Sequence, residues 1–98
     1  MSDDGAADKL EQQRKKLRFR AWRRGTREVD LIMGHFADQY LSRLDASELA
    51  QFEALLDAPD LEVFGWIIRR DPVPAAYQNR IMELLQDFDI PSAIGPGA

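Results

Sequence analysis

The residues with most to offer chemically are Arg23-Arg24-Gly25-Thr26-Arg27-Glu28, a basic cluster broken by one glycine and closed by a carboxylate. Gly25 is the residue of this run that can take a positive φ or let another backbone approach closely, so the chain is expected to turn there. Arg24 and Glu28 then offer opposite charges on either side of one bend, a pattern suited to recognising an acidic or polar surface on another protein. Helix dipoles account for part of it, since a cation ending one helix and a carboxylate opening the next are each stabilising by about 0.3–1 kcal/mol. They do not account for so many cations at one bend, nor for an exposed glycine backbone there.

Covalent chemistry has less support. The chain has no cysteine and a single histidine, His35, so thiolate nucleophiles, disulfides and Cys-ligated zinc are absent and a zinc site lacks its usual nitrogen ligands. His35 follows Glu28 by seven residues, about two helical turns, and can share a face with it, yet no Ser/His/Asp set accompanies the pair. The carboxylates Glu48, Glu53, Asp57, Asp60 and Glu62 read as helix caps and solubilising charge. No catalytic and no metal-binding residue is assigned. Trp22, beside the turn, is the aromatic residue placed to anchor a partner.

The net charge of −4 conceals a sharp division: Lys9 to Arg27 carries +8, residues 28–98 carry −9, and the first eight residues add −3. A basic helix is thus attached to an acidic body, a dipole that can steer a partner at a strength falling with salt. The run Arg14 to Arg24, with Phe19 and Trp22 among its cations, has the composition to bind nucleic acid or lie on an anionic membrane surface. Against nucleic acid stands a pI near 4.9. A solvated helix face balancing the acidic body is the plain alternative.

These residues need elements to position them. Residues 1–7 are small and polar and are expected to be disordered, and 91–98, with two Pro and two Gly, to form a flexible tail. Between them, 8–90 form one domain. A first helix runs from Asp8 to about Arg23, with Leu10, Leu17, Phe19, Ala21 and Trp22 as a partial apolar stripe. Thr26 caps a second, to about Leu41, with Val29, Ile32, Met33, Phe36 and Tyr40 facing inward. Asp45 and Glu48 have capping-box spacing before a third helix that ends near Asp57 and buries Leu49, Phe52, Leu55 and Leu56. Asp60 caps a short fourth helix with Leu61, Phe64, Trp66, Ile67 and Ile68 toward the core, stopped by Asp71-Pro72. Pro74 opens a fifth, carrying Tyr77, Ile81, Leu84, Leu85 and Phe88. Nothing alternates with period two, so the expected fold is all-α, a compact bundle of about five helices. No apolar run approaches the ~20 residues of a membrane span, and the acidic start is unlike a signal peptide, so a soluble intracellular protein, most simply a monomer, is expected.

At the bend the chain resembles the FAD assembly factor family of succinate dehydrogenase, the bacterial SdhE proteins and their mitochondrial counterparts. The family's Arg-Gly-x-x-Glu signature stands as Arg24-Gly25-Thr26-Arg27-Glu28, followed by Val29 to Gly34 and Phe36-Ala37-Asp38. Glu48-Leu49, Phe52 to Leu56, Asp60-Leu61 and Trp66-Ile67 continue the pattern. The resemblance implies a five-helix protein that binds the flavoprotein subunit of succinate dehydrogenase, and in some bacteria that of fumarate reductase, and promotes covalent attachment of FAD to it. The bond would form inside the partner, so the resemblance implies an assembly factor rather than an enzyme, with no stably held cofactor. It implies a contact surface of Arg24, Gly25 and Glu28, to which Arg20, Trp22, Arg23, Arg27 and Asp30 are added as neighbours. It implies the bacterial cytoplasm, or the mitochondrial matrix of a eukaryote. Two departures stand out: Thr26-Arg27 where many members carry apolar residues, and Arg69 where many have glycine. A nucleic-acid-binding or regulatory module using the basic helix is the alternative reading, and a small enzyme built on His35 ranks last.

Overall fold

The Gly25 turn joins the two longest elements. The computed structural model describes the backbone of residues 2–88 and the side chains of 8–88. In it α1 spans Ser2–Ala21, α2 Arg27–Tyr40, α3 Ala46–Asp57, α4 Asp60–Ile67 and α5 Arg80–Asp87, with 3-10 turns at Leu41–Arg43 and Ala75–Tyr77. Among the described residues there is no strand, as the absence of period-two patterning implied.

Each helix is placed by the stripe it buries. Val29, Ile32, Met33, Phe36 and Ala37 of α2 run down the centre, against Leu49, Phe52, Leu55 and Leu56 of α3 and Val63, Trp66 and Ile67 of α4. The Phe36 ring stacks on Phe52 at 5.6 Å and on Tyr40 at 4.7 Å, and meets Phe88 edge-on at 5.6 Å. Such offset and edge-on contacts are worth about 0.5–1.5 kcal/mol each beyond area burial. The capping box before α3 is formed in both directions: the Glu48 amide donates to Asp45 at 2.8 Å and the Asp45 amide to Glu48 at 3.0 Å.

Several expectations are corrected. The backbone is helical from Ser2, where disorder was expected for 1–7. The expected tail, 91–98, lies outside the described residues. The fifth helix does not begin at Pro74. Ala75–Tyr77 is a 3-10 turn, and α5 starts afresh because the Asn79 side chain caps it, accepting from the Met82 amide at 3.1 Å. On α4 the buried face is Val63, Trp66 and Ile67, at i, i+3 and i+4, which leaves Leu61 and Ile68 exposed rather than in the core. Phe19 is likewise exposed, so the buried contribution of α1 reduces to Leu17 and Ala21, with Leu10 packed at the edge.

Just past the end of α4 stands Arg69, where the resemblance leads one to expect glycine. Arg69 has φ 62°, and the amides of Arg69 and Arg70 donate to the carbonyls of Trp66 at 3.2 Å and Gly65 at 2.9 Å. This is a Schellman turn with arginine in the left-handed position.

Candidate functional site

Gly25 has φ +94°, is exposed, and has no atom within 4 Å of the place a Cβ would occupy. The turn expected there is therefore present, and it is open. Thr26 sits at the N-cap of α2 but makes no side-chain cap. The turn before the helix is fixed by another side chain, that of Asp30, four residues on from Thr26. One oxygen of its carboxylate accepts from the Arg24 amide at 2.6 Å and the Gly25 amide at 3.2 Å.

The cations divide into two sets. Arg14 donates from Nε to the Leu41 carbonyl and from Nη2 to that of Leu44, both at 2.8 Å, closing the end of α2. Arg18 pairs with Asp38 at 3.6 Å, and Arg20 with Asp57 at 2.5 Å and Glu53 at 3.8 Å. Arg24 turns inward and gives Nε and Nη2 to Asp60 at 2.9 and 2.8 Å, with side chains 14% and 17% exposed. Four arginines of the basic run are thus directed at the acidic body. Lys15, Lys16, Arg23 and Arg27 remain on the surface, with the Arg23 guanidinium 4.5 Å above the exposed Phe19 ring. Among the described residues neither Arg27 nor Glu28, both exposed, has an ion-pair partner.

Besides Thr26, two positions differ from the expectation of the sequence. Trp22 is half-buried rather than an exposed anchor: its ring lies over Gly34 of α2, its indole N–H donates to Asp38 at 3.3 Å, and its ring meets that of His35 edge-on at 4.9 Å. Asp60 holds Arg24 instead of capping α4, whose N-cap, Pro59, makes no side-chain bond. A lone glycine within an apolar helical stripe signals close packing, so Gly34 was detectable; the partnership of Arg24 with a residue 36 positions on was not. His35, packed on Trp22, is brought into no cluster with carboxylates, and the described residues include no group of three or more His, Cys, Asp or Glu able to hold a metal. No helix among the described residues is long and apolar enough to cross a membrane.

The turn therefore presents an open backbone beside Arg23, Arg27 and Glu28, on a frame fixed by Asp30 and Asp60. Charges of both signs side by side suit a mixed protein surface better than a polyanion. The basic strip that a phosphate backbone would follow is interrupted where Arg14, Arg18, Arg20 and Arg24 are engaged by carbonyls or carboxylates of the bundle.

Residues 15–89 match the family described as "Flavinator of succinate dehydrogenase". The chain is 35% identical over 77 residues to succinate dehydrogenase assembly factor 2, mitochondrial, of Dictyostelium discoideum, covering 79% of this chain and 55% of that protein. It is 32% identical over 85 residues to the protein of the same name in Danio rerio, covering 85% and 54%. With the FAD assembly factor SdhE of Acetobacter pasteurianus it shares 39% over 69 residues, 70% of this chain and 63% of that one. The chain thus spans a little over half the length of these relatives. With well over half of its own residues matched, and the Gly25 turn among them, the chain belongs to the family of succinate dehydrogenase flavinators and assembly factors.

Proposed function

We propose that this chain binds the flavoprotein subunit of succinate dehydrogenase, and in some hosts that of fumarate reductase, and promotes covalent attachment of FAD to it. The observation that carries the reading is the Gly25 turn: open, at φ +94°, with its amide fixed by Asp30 and unpaired charges of both signs beside it. A partner backbone can approach there without displacing a side chain. In this reading the flavin bond is made by the partner's own residues, and the chain is an assembly factor, not an enzyme, and keeps no cofactor or metal. It acts as a monomer in the bacterial cytoplasm, or in the mitochondrial matrix of a eukaryote. Docking helps only through preference for the partly assembled flavoprotein, each tenfold of preference shifting that equilibrium by about 1.4 kcal/mol.

The test is co-expression with a succinate dehydrogenase flavoprotein and measurement of protein-bound flavin fluorescence after denaturation. Gly25→Arg and Glu28→Ala are expected to lower covalent flavin while leaving helical circular dichroism largely intact. The arginine must adopt a left-handed backbone at a cost of about 1–2 kcal/mol, so Glu28→Ala is the cleaner variant. Wild-type flavin levels with both variants would remove the docking site from the turn. A salt-dependent shift with arbitrary DNA or RNA, indifferent to Glu28→Ala, would favour nucleic-acid binding instead.

A further inference from the structure

Arg24 is gripped at both ends. Its amide is bound by Asp30, in the first turns of α2, and its guanidinium by Asp60, the first residue of α4. The junction therefore ties the end of α1, the start of α2 and the start of α4 together at one residue. Both side chains of the ion pair are largely shielded, at 14% and 17% exposed, whereas Arg23, Arg27 and Glu28 around them are exposed. For Arg24 to reach a partner it must abandon two short charge-assisted bonds and leave Asp60 without its cation. Asp60 in turn lies in the first turn of α4, where the helix dipole favours a negative charge.

From this juxtaposition we infer that Arg24 and Asp60 are positioning residues: the pair tethers the Gly25 turn to α4, and Arg24 serves docking through the turn without touching the partner. This inference rests on the reading that the flavoprotein docks at the turn. It assigns a role in docking to Asp60, far along the chain from the Arg-Gly-x-x-Glu run. It also separates two arginines adjacent in sequence: Arg23 faces outward and Arg24 holds the frame.

The experiment is a double-mutant cycle on the whole chain, Arg24→Ala, Asp60→Ala and both together, with Gly25→Arg and Glu28→Ala as reference variants. Dissociation constants and stoichiometry for the isolated flavoprotein subunit are measured by calorimetry well below each variant's melting point. Stoichiometry reports the folded fraction, so a merely stabilising pair lowers it without moving the dissociation constant. Each single change is expected to weaken binding about tenfold, the double no more than either, and hydrogen exchange at the Gly25 amide to accelerate equally in all three. Weakening by Arg24→Ala with Asp60→Ala at wild-type affinity would overturn the inference and make Arg24 a direct contact. Wild-type dissociation constants for the whole cycle, with weak binding by Gly25→Arg and Glu28→Ala, would overturn it and leave the docking site standing. Wild-type binding by those two reference variants would sink the docking site and the inference with it.

Discussion

Replacing Gly34 by alanine is expected to destabilise this protein, although alanine in a helix interior ordinarily stabilises by about 1 kcal/mol over glycine. A Cβ at Gly34 falls on the fused edge of the Trp22 indole, at separations no real Cβ contact shows, so the ring must leave α2. Three contributions go with it. The edge-on contact with His35, at 4.9 Å, is worth about 0.5–1.5 kcal/mol. The bond from the indole to the exposed Asp38, at 3.3 Å, lies near the low end for hydrogen bonds, about 0.5 kcal/mol. Rewetting the buried half of an indole returns on the order of 100 Å² to water, about 2.5 kcal/mol. Partial relaxation of the ring and the gain in helix propensity reduce the net loss to about 2 kcal/mol, or roughly 10 °C in melting temperature for a domain of this size. Thermal melts followed by circular dichroism measure it, and tryptophan emission should shift to the red through Trp22, since Trp66 remains 6% exposed. The decisive control is Trp22→Ala, in whose background Gly34→Ala should stabilise. A single Gly34→Ala variant that melts at or above the wild type with unchanged emission would refute the packing of Trp22 on Gly34.

Arg14→Ala removes two 2.8 Å bonds to the Leu41 and Leu44 carbonyls and should cost about 2 kcal/mol. The urea midpoint would fall at constant slope, and Arg14→Lys, unable to span both carbonyls, should not restore it. Asp45→Ala should cost about 1 kcal/mol through loss of the capping box, with Asp45→Ser close to wild type and faster amide exchange confined to the first turn of α3. At Arg69, where φ is 62°, glycine should be more stable than alanine by about 1 kcal/mol in paired melts, the reverse of the order in a helix interior. Alanine better than glycine there would contradict the left-handed conformation.

What the sequence disclosed was local. The turn at Gly25 and the box of Asp45 and Glu48 each depend on residues within four positions, and propensity with capping chemistry decides them. What it hid was the competition for each charge. Asp60, behind a proline at a helix start, has the position of a cap; the structure gives it to Arg24 because an arginine fork satisfies more lone pairs than an amide does. Asp30 reads as an exposed charge in the first turns of α2, yet it accepts from the Arg24 and Gly25 amides and so fixes the turn that precedes the helix. The fifth helix starts later than Pro74 for a similar reason: Pro74 and Asn79 are both starting signals, and the one with a side-chain acceptor prevails. Exposure of Phe19, Leu61 and Ile68 follows from helix rotation, which the sparse apolar stripe of α1 and the apolar residues spread around the eight-residue α4 determine poorly.

The division among the arginines bears on the order in which the molecule assembles. α1 contributes Leu17 and Ala21 to the core, while its polar contacts reach Asp38, Leu41, Leu44, Glu53 and Asp57, between 20 and 37 positions away. Those contacts reward α1 only once the other helices are in place, since the loop they close must first be closed. α1 is accordingly expected to open before α2, which is anchored in the hydrocarbon core, and faster amide exchange in α1 than in α2 would show it. Gly25 is the joint between the two. Ionic strength, which screens pairs such as Arg20 with Asp57, acts on one arm of that joint and leaves the other fixed.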